Sequence, residues 1–460
     1  MSTTKGPTET LADFVADLRF GDLPAAAVAK AAEIVLDTVG CGIAAWRDDR
    51  EKADVALNLA RSFRAAPTAL VWGTAERTDA AIAALANGIL ANAADFDDTH
   101  KRALLHTGSV VVPPALALGE ERGLNGADIL TAIVAGYEVA VRVGMAVMPT
   151  HYRFWHSTAT NGTFGAAATA ASALGLDAKR ALMALGAAGT QAAGLNTFFT
   201  YGDMTKSLHP GKASFNGILA ARLAAVGGTS PPTILEHEKG YLNAYSLEPK
   251  SDALTKGLGT TWEILENGFK FFPSILASHA AIQATLDVVT AHDIKPGDIA
   301  SIVNETYSTV KSHFSAKTVT TGMGARVSVP YCCAVAALDR VVGQAQFAPD
   351  RVLRADVQTL LANTDVVAVD ALTALYPTKF PARVTVRLKD GRAFTTQRDF
   401  PKGDPQEPLS RSEIEAKFLD NAAARFKPDD AKELARLILG LGELGELGDT
   451  RPLFRLLSQG

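Results

Sequence analysis

"GADILTAIVAGYEVAVRVGMAV", residues 126–147, decides the fold that we predict for this chain. Its apolar residues recur at helical spacing, and its small residues let a neighbouring helix axis approach closely. The stretch is apolar enough to resemble a membrane span, but Asp128, Glu138 and Arg142 lie inside it. Because a charge at the centre of a bilayer costs roughly 2.5–3.5 kcal/mol on insertion scales, we predict a helix buried in protein, and no membrane association.

Apolar residues at helical spacing, with many small residues among them, continue from residue 9 to about residue 225. This pattern predicts a tightly packed helical bundle. Further alanine-rich helices are expected at 23–46, 78–96, 162–189 and 212–227. The predicted fold is therefore mainly α. The helical domain should run over 1–266, a smaller α+β domain over 267–400, and helices in 401–460 should return to the helical domain.

The middle of the chain carries the signals of a mixed domain. A strand is expected at 298–310 and a hairpin at 369–397, with Asp390 and Gly391 in its turn. Helices are expected at 275–292 and 328–342. After a proline-rich connection, Ser410 with Glu413 three residues later forms a capping-box pattern that predicts the start of a helix.

Composition excludes several classes of function. The chain has 460 residues, a formal net charge of -4 and a pI near 6.2. It lacks the basic excess that a nucleic-acid partner requires, so no such partner is expected. Three cysteines are too few to staple a chain of this length, and the N-terminus has neither a basic nor a long apolar segment. These features predict a cytoplasmic protein.

Cofactor motifs are missing from the sequence. The usual zinc spacings are absent, and Cys332 and Cys333 are neighbours in a predicted buried helix. The carboxylates and imidazoles at 95–106 offer ligand atoms, but no spacing fixes a metal geometry, so no metal is expected. Neither a dinucleotide fingerprint, a P-loop nor a nucleophile elbow occurs. Hydride transfer, phosphoryl transfer and α/β-hydrolase chemistry all lose support.

Four polar segments, or windows, lie within this mostly apolar sequence, at 95–106, 151–165, 202–217 and 267–279. They contain six of the nine histidines, although the sequence around them is strongly apolar. Their imidazoles and ammonium groups are His100, His106, His151, His156, Lys206, His209, Lys212, Lys270 and His279. Together with Asp95 they predict a cationic, imidazole-rich pocket with one acidic corner. Such a pocket suits an anionic substrate and proton transfer without a cofactor.

At these windows the sequence resembles the MmgE/PrpD family, which includes 2-methylcitrate dehydratase, cis-aconitate decarboxylase and iminodisuccinate epimerase. The strings that carry the resemblance are "DFDDTH" at 95–100, "HSTATNGTFGAA" at 156–167, "TKSLHPGKASFNGILAARLAA" at 205–225, "FKFFPS" at 269–274 and "SVPYCCAVAALD" at 328–339. The likeness extends from about residue 10 to about residue 425. It implies a helical domain built from both chain ends, an inserted lid domain, chemistry without metal or organic cofactor, and a homodimer.

Mapped by motif, the family's site positions look like Asp95, Thr99, His106, His156, Lys206 and Lys270. Asp95 and Thr99 should share one face of a helix, four residues apart. The resemblance implies a lyase that removes a proton α to a carboxylate, with loss of water from a 2-methylcitrate-like polycarboxylate. Lysines can hold carboxylates, and histidines can move protons near neutral pH.

Within this hypothesis, Lys206 and Lys270 bind carboxylates, His106 and His156 act as acid and base, and Asp95 orients a neighbouring group. Further substrate-binding candidates are Thr99, His100, His209 and His279. Asp97 and Asp98 are expected only to cap and solvate.

Other reactions reuse the same groups. Decarboxylation and epimerisation of a carboxylate substrate are the alternatives, and a non-catalytic binding protein for small anions is a third. Ile275 stands where the dehydratase and decarboxylase branches usually carry cysteine or histidine, and it can neither transfer a proton nor bind a carboxylate. Either His279, about one helical turn further along, supplies the missing function, or this protein catalyses a variant reaction.

Overall fold

The computed structural model describes residues 5–443 and 448–460, and it divides into two compact units. The first unit contains the chain up to Phe198, then Met204–Gly268, then the chain from Ser410 on. The second contains Phe199–Asp203 and Phe269–Leu409. Helices account for 59% of the structure and the sheets are small, which confirms the mainly α prediction.

The boundaries between the two units agree with the backbone hydrogen bonds formed on either side of them. It falls after Gly268 and after Leu409, whereas the sequence placed the boundaries after residues 266 and 400. In the first unit, the strand Asn267–Gly268 pairs antiparallel with Thr99–His100. In the second unit, the amide of Phe269 donates a hydrogen bond to the carbonyl of Gly403 at 2.9 Å. The connection over 401–409 therefore belongs with the inserted unit.

The first unit is a bundle of helices with two short strand pairs. The second pair of strands is Ala69–Leu70 with Arg77–Thr78. The α-helices of the first unit are Pro7–Asp17, Ala25–Asp48, Arg50–Ser62, Ala80–Asn92, Gly108–Arg122, Gly126–Val147, Ser157–Ala173, Ala178–Gly189, Thr205–Ala225, Tyr241–Tyr245, Arg411–Ala422, Pro428–Leu439 and Arg451–Leu457. Its 3-10 turns are Phe20–Asp22, Thr150–Arg153, Ser251–Leu254 and Glu263–Glu266. A short helix, Phe198–Tyr201, spans the first division point.

The helix Gly126–Val147 has the bounds that the sequence predicts. Asn125 caps it by accepting a hydrogen bond from the amide of Asp128 at 2.9 Å. Although it is long and apolar enough to cross a membrane, it is buried inside the helical unit. Its internal charges form a fully buried pair, with Nε of Arg142 3.2 Å from Oε2 of Glu138. The interpretation as a buried protein helix is confirmed.

Small residues bring the central helices into close contact, as expected. The helix Ser157–Ala173 packs against both Gly126–Val147 and Thr205–Ala225. Where Ala80–Asn92 meets Thr205–Ala225, Gly88 faces Gly211, and a Cβ on Gly88 would lie 2.7 Å from the Cα of Gly211. Only glycine permits this separation. The contact packs the C-terminal half of the first helix against the N-terminal half of the second.

The single helix expected over 162–189 is wrong. The structure has two helices there, Ser157–Ala173 and Ala178–Gly189. Gly175 adopts the left-handed conformation with φ 64°, which ends the first helix. Asp177 then caps the second by accepting from the amide of Arg180 at 2.8 Å.

The C-terminal helices belong to the first unit. Ser410 and Glu413 form the predicted capping box at the start of Arg411–Ala422. This helix packs against Ala25–Asp48 and against Pro428–Leu439.

The second unit is built on a four-stranded sheet. The strand order is Thr364–Ala368, Ile299–Thr306, Ala382–Leu388, Ala393–Arg398, with the first pair parallel and the others antiparallel. The predicted hairpin is present, with Gly391 at φ 91° in its turn. The expected strand over 298–310 ends at Thr306, and a helix begins at Ser308. The sequence reasoning missed Thr364–Ala368, because its parallel pairing is non-local.

The second unit also contains helices, several of which contact the sheet. They are Leu276–Ala291, Ser308–His313, Gly322–Arg326, Val329–Asp339, Pro349–Val352, Ala355–Ala362 and Asp370–Thr373, with 3-10 turns at Pro296–Asp298 and Gln344–Phe347. Helices were expected at 275–292 and 328–342, and both are present.

Candidate active site

The segment that follows helix Ala80–Asn92 carries the first site residues. Asp95 adopts a left-handed backbone conformation with φ 53°, which aspartate tolerates better than most residues. Thr99 lies in the short strand Thr99–His100. The expectation that Asp95 and Thr99 share one helical face is therefore wrong, because the helix has ended before Asp95.

Two aspartates of this segment lie on either side of one imidazole. Nδ1 of His106 is 3.1 Å from Oδ1 of Asp97, and its Nε2 is 3.6 Å from Oδ1 of Asp95. Both carboxylates are buried, and the backbone amide of His106 donates to the Thr158 hydroxyl at 3.2 Å. The ring is thus held between two negative groups in a dry environment, where electrostatic interactions are strong.

Lys206 supplies a positive charge at the same place. It lies in the first turn of helix Thr205–Ala225, and its Nζ is 2.8 Å from Oδ1 of Asp95. The hydroxyl of Ser207 donates to the carbonyl of Asn92 at 3.3 Å, which ties the two helix ends together. We call the group Asp95, Asp97, His106 and Lys206 the Asp95 cluster.

A pair of histidines lies beside the Asp95 cluster. Nδ1 of His156 is 2.9 Å from Nδ1 of His209, so one ring donates and the other accepts. The ring centroids of His106 and His156 are 6.4 Å apart. Burial, reinforced by the positive fields of His209, Lys206 and His106, holds the pKa of His156 well below its usual value. His156 is therefore neutral at physiological pH.

The role expected for Asp97 needs correction. It does not merely cap or solvate, because it is fully buried, faces His106 and accepts from the side-chain amide of Asn92 at 3.0 Å. Asp98 does cap, since its carboxylate accepts from the amide of Gly108 at 2.9 Å. Burial, together with the neighbouring carboxylates, raises the pKa of Asp98 well above its usual value.

His100 is turned toward a different partner. Its Nε2 lies 3.7 Å from Oε2 of Glu263, and its Nδ1 accepts from the amide of Ala103 at 3.3 Å. Arg102 also pairs with Glu263. Burial lowers the pKa of His100. These contacts describe a structural ring that anchors the short strand.

The second unit contains the remaining candidates. Lys270 belongs to this unit, follows the strand Asn267–Gly268 by two residues and is buried. His279 is buried there too, with its Nε2 3.3 Å from the carbonyl oxygen of Ser274, to which it donates. Ile275 occupies the N-cap position of helix Leu276–Ala291.

The Asp95 cluster also has the donor set of a small metal site. One ligand atom each from Asp95, Asp97 and His106 lies within 4.8 Å of the others. However, the ammonium of Lys206 already provides the cation that faces Asp95. A divalent ion there would be repelled by that charge at close range.

Sequence reasoning undervalued Asp97. Asp95 lies in a left-handed turn, and the two carboxylates contact different nitrogens of the His106 ring, an arrangement that spacing in the sequence does not reveal.

Known proteins resemble this chain along nearly its whole length. The MmgE/PrpD N-terminal domain matches residues 9–253, and the MmgE/PrpD C-terminal domain matches residues 272–442. Cis-aconitate decarboxylase of Aspergillus terreus is 26% identical, over 98% of this chain and 96% of that protein. The human enzyme of the same name is 27% identical, over 96% and 92%, and the mouse enzyme is 26% identical, over 98% and 93%. The chain belongs to the MmgE/PrpD family.

Proposed function

We propose that this protein is a cofactor-independent lyase that decarboxylates a small unsaturated polycarboxylate of the cis-aconitate type. The observation that carries the proposal is His106, held between Asp97 and Asp95 with Lys206 against the same aspartate. The names of the relatives favour decarboxylation over the loss of water that we expected from the sequence alone.

The charges of the Asp95 cluster suit this chemistry. Two carboxylates and one ammonium leave a net negative charge, which a proton on His106 balances. In decarboxylation the bond between carbon and the departing carboxylate breaks, and its electron pair stays on the carbon. His106 donates its proton to that carbon, and CO₂ leaves. A positioned acid of this kind contributes on the order of 10²–10⁴ in rate.

Lys206 has two roles in the proposal. Its ammonium attracts a substrate carboxylate, and it stabilises the negative charge that develops as CO₂ departs. Neutral His156 presents a hydrogen-bonding ring whose tautomer is coupled to that of His209. Thr99, in the same unit, completes the proposed substrate-binding residues.

Dehydration and epimerisation remain the alternatives, because both begin or end with proton transfer at a carbon next to a carboxylate. A binding protein without catalysis is less favoured. All four members of the Asp95 cluster are buried. Burying such charged groups in an apolar bundle costs several kcal/mol, and catalysis is a reason for a protein to retain them.

The test is product analysis by proton and carbon NMR in D₂O, with chelator-treated protein and a panel of di- and tricarboxylates. Decarboxylation yields CO₂ and a product that carries solvent deuterium on the carbon that bore the departing carboxylate. His106→Gln and Lys206→Ala should abolish turnover, whereas His237→Gln, at an exposed site, should not. Loss of water, or inversion with deuterium exchange, would replace the decarboxylase assignment with one of the alternatives. Equal activity in His106→Gln would overturn the proposed site.

A further inference from the structure

A second buried ion pair lies behind the Asp95 cluster. Lys417 is on the buried side of helix Arg411–Ala422, and its Nζ is 2.6 Å from Oδ1 of Asp37. Asp37 lies in the apolar middle of helix Ala25–Asp48 and is itself buried. A lysine in such a place is rare and must be matched by a partner.

Lys417 also holds the backbone of the site. Its Nζ donates to the carbonyl of Phe96 at 2.7 Å and lies 3.8 Å from the centroid of the Phe96 ring. Phe96 is the residue between Asp95 and Asp97. The ammonium is therefore bound to the Phe96–Asp97 peptide group, between the two aspartates that face His106.

The segment that Lys417 holds is strained. Asp95 has φ 53°, a backbone conformation that a non-glycine residue keeps only where its surroundings hold it there. A pair that served only to stabilise the packing of two helices needs Asp37 alone. The second hydrogen bond, to Phe96, fixes the local chain direction and with it the positions of both carboxylates.

Lys417 remains charged in this environment. Burial acts to lower the pKa of Lys417, but Asp37, Cys41 and Asp97 outweigh it and raise the pKa above its usual value. The ammonium can therefore donate to Asp37 and Phe96 at the same time, since it has three protons.

We infer that Lys417 is a positioning residue, which holds the Phe96 peptide so that Asp95 and Asp97 face His106. This inference rests on the proposed function for its catalytic consequence, but not for its structural one. A residue near the C-terminal end of the chain would thus help to fix the geometry of the site.

The experiment compares the full-length protein with Lys417→Met and with the double variant Asp37→Asn/Lys417→Met. The single variant leaves a buried carboxylate uncompensated and is expected to lose stability, whereas the double variant removes both charges and should recover it. Lys432→Met, at an exposed lysine of the neighbouring helix, is the control. Hydrogen exchange over residues 95–99, the nitrogen-15 signals of the His106 ring and steady-state kinetics are measured on each.

In the double variant we expect faster exchange at 95–99 and shifted His106 ring signals. With an active wild type, kcat should fall by about 10²-fold, the cost of an ångström-scale misplacement, with a smaller change in KM. Wild-type exchange and ring signals in the folded double variant would overturn the inference. If the wild type turns over no substrate, the proposed function fails, while exchange and ring signals still decide this inference.

Discussion

The ammonium of Lys206 lies 2.8 Å from Oδ1 of Asp95, and both side chains are almost completely buried. This pair joins the first turn of one helix to the strained turn that follows another. It brings two motifs that are distant in sequence, at 95–100 and 205–211, into contact at one charged site.

Removing one member of this pair should destabilise the protein more than removing both. Lys206→Met leaves Asp95 without its ammonium, and breaking a buried pair in this way costs about 3–5 kcal/mol. The double variant Asp95→Asn/Lys206→Met should recover much of that loss and stay inactive. Urea denaturation measures the free energies of unfolding. A single variant as stable as the wild type would contradict the burial of this pair.

Gly88→Ala should destabilise the helical unit. A Cβ there would lie 2.7 Å from the Cα of Gly211, so the two helices must separate. Overpacking of this kind costs about 1–3 kcal/mol, which exceeds the gain of roughly 1 kcal/mol from replacing glycine in a helix. The control is Gly21→Ala, where a Cβ would meet no atom within 4 Å. Thermal unfolding should separate the two variants, and an unchanged or raised Tm for Gly88→Ala would contradict the packing described.

His151 should make stability depend on pH below neutrality. Its Nδ1 donates to the carbonyl of Tyr245 at 3.1 Å, and its Nε2 lies 2.8 Å from the hydroxyl of Thr160. Burial lowers the pKa of His151 from 6.5 to about 4, and the bond to Tyr245 opposes this shift only in part. The unfolded chain therefore binds the proton more readily than the folded chain, and stability is lost as pH falls from 6.5 towards 4.

This group alone should remove about 2 kcal/mol of unfolding free energy between about pH 7.5 and about pH 5. His151→Gln eliminates the titration, so its loss of stability over that interval should be smaller than that of the wild type by this amount. Denaturation curves at the two pH values provide the comparison. Parallel losses in both proteins would show that His151 is not a buried neutral ring.

The ion pair inside helix Gly126–Val147 offers a test of the core. Arg142 also donates to the carbonyls of Lys256 and Thr261, at 2.6 and 2.8 Å. Burial raises the pKa of Glu138 to about 7, against the opposing effect of Arg142. Arg142→Met should therefore cost about 3–5 kcal/mol near neutral pH.

A matched surface variant controls for the loss of an arginine. Arg436 pairs with Glu433 on the exposed side of helix Pro428–Leu439. Arg436→Met should change the free energy of unfolding by no more than about 1 kcal/mol, as is usual for exposed pairs. Similar effects of the two arginine substitutions would contradict the buried network around Glu138.

Local patterns predicted the helices well where the signal itself is local. The bounds of Gly126–Val147 and the capping box at Ser410 follow from periodicity and from side chains within a few residues. The break at Gly175 was missed, since an apolar alanine-rich run obscured its left-handed turn. The strand Thr364–Ala368 was missed because its partner lies some sixty residues earlier in the chain, at Ile299–Thr306.

The motifs identified residues, but not the distances between them. Asp95 and His106 come from one segment and Lys206 from another, and only the packing of helices fixes how they meet. The same holds for Lys417, whose contact with Phe96 crosses 321 residues of sequence. A lysine on the buried side of an amphipathic helix was the available signal, although it could not indicate which carboxylate lay opposite.

The most direct test of the central claim is an experimental structure of the protein with an unreactive tricarboxylate bound. The Asp95 cluster should hold it, with a carboxylate oxygen about 2.7–2.9 Å from Nζ of Lys206 and the reacting carbon facing the His106 ring. A ligand bound with no oxygen in reach of Lys206, and no carbon near His106, would contradict the account.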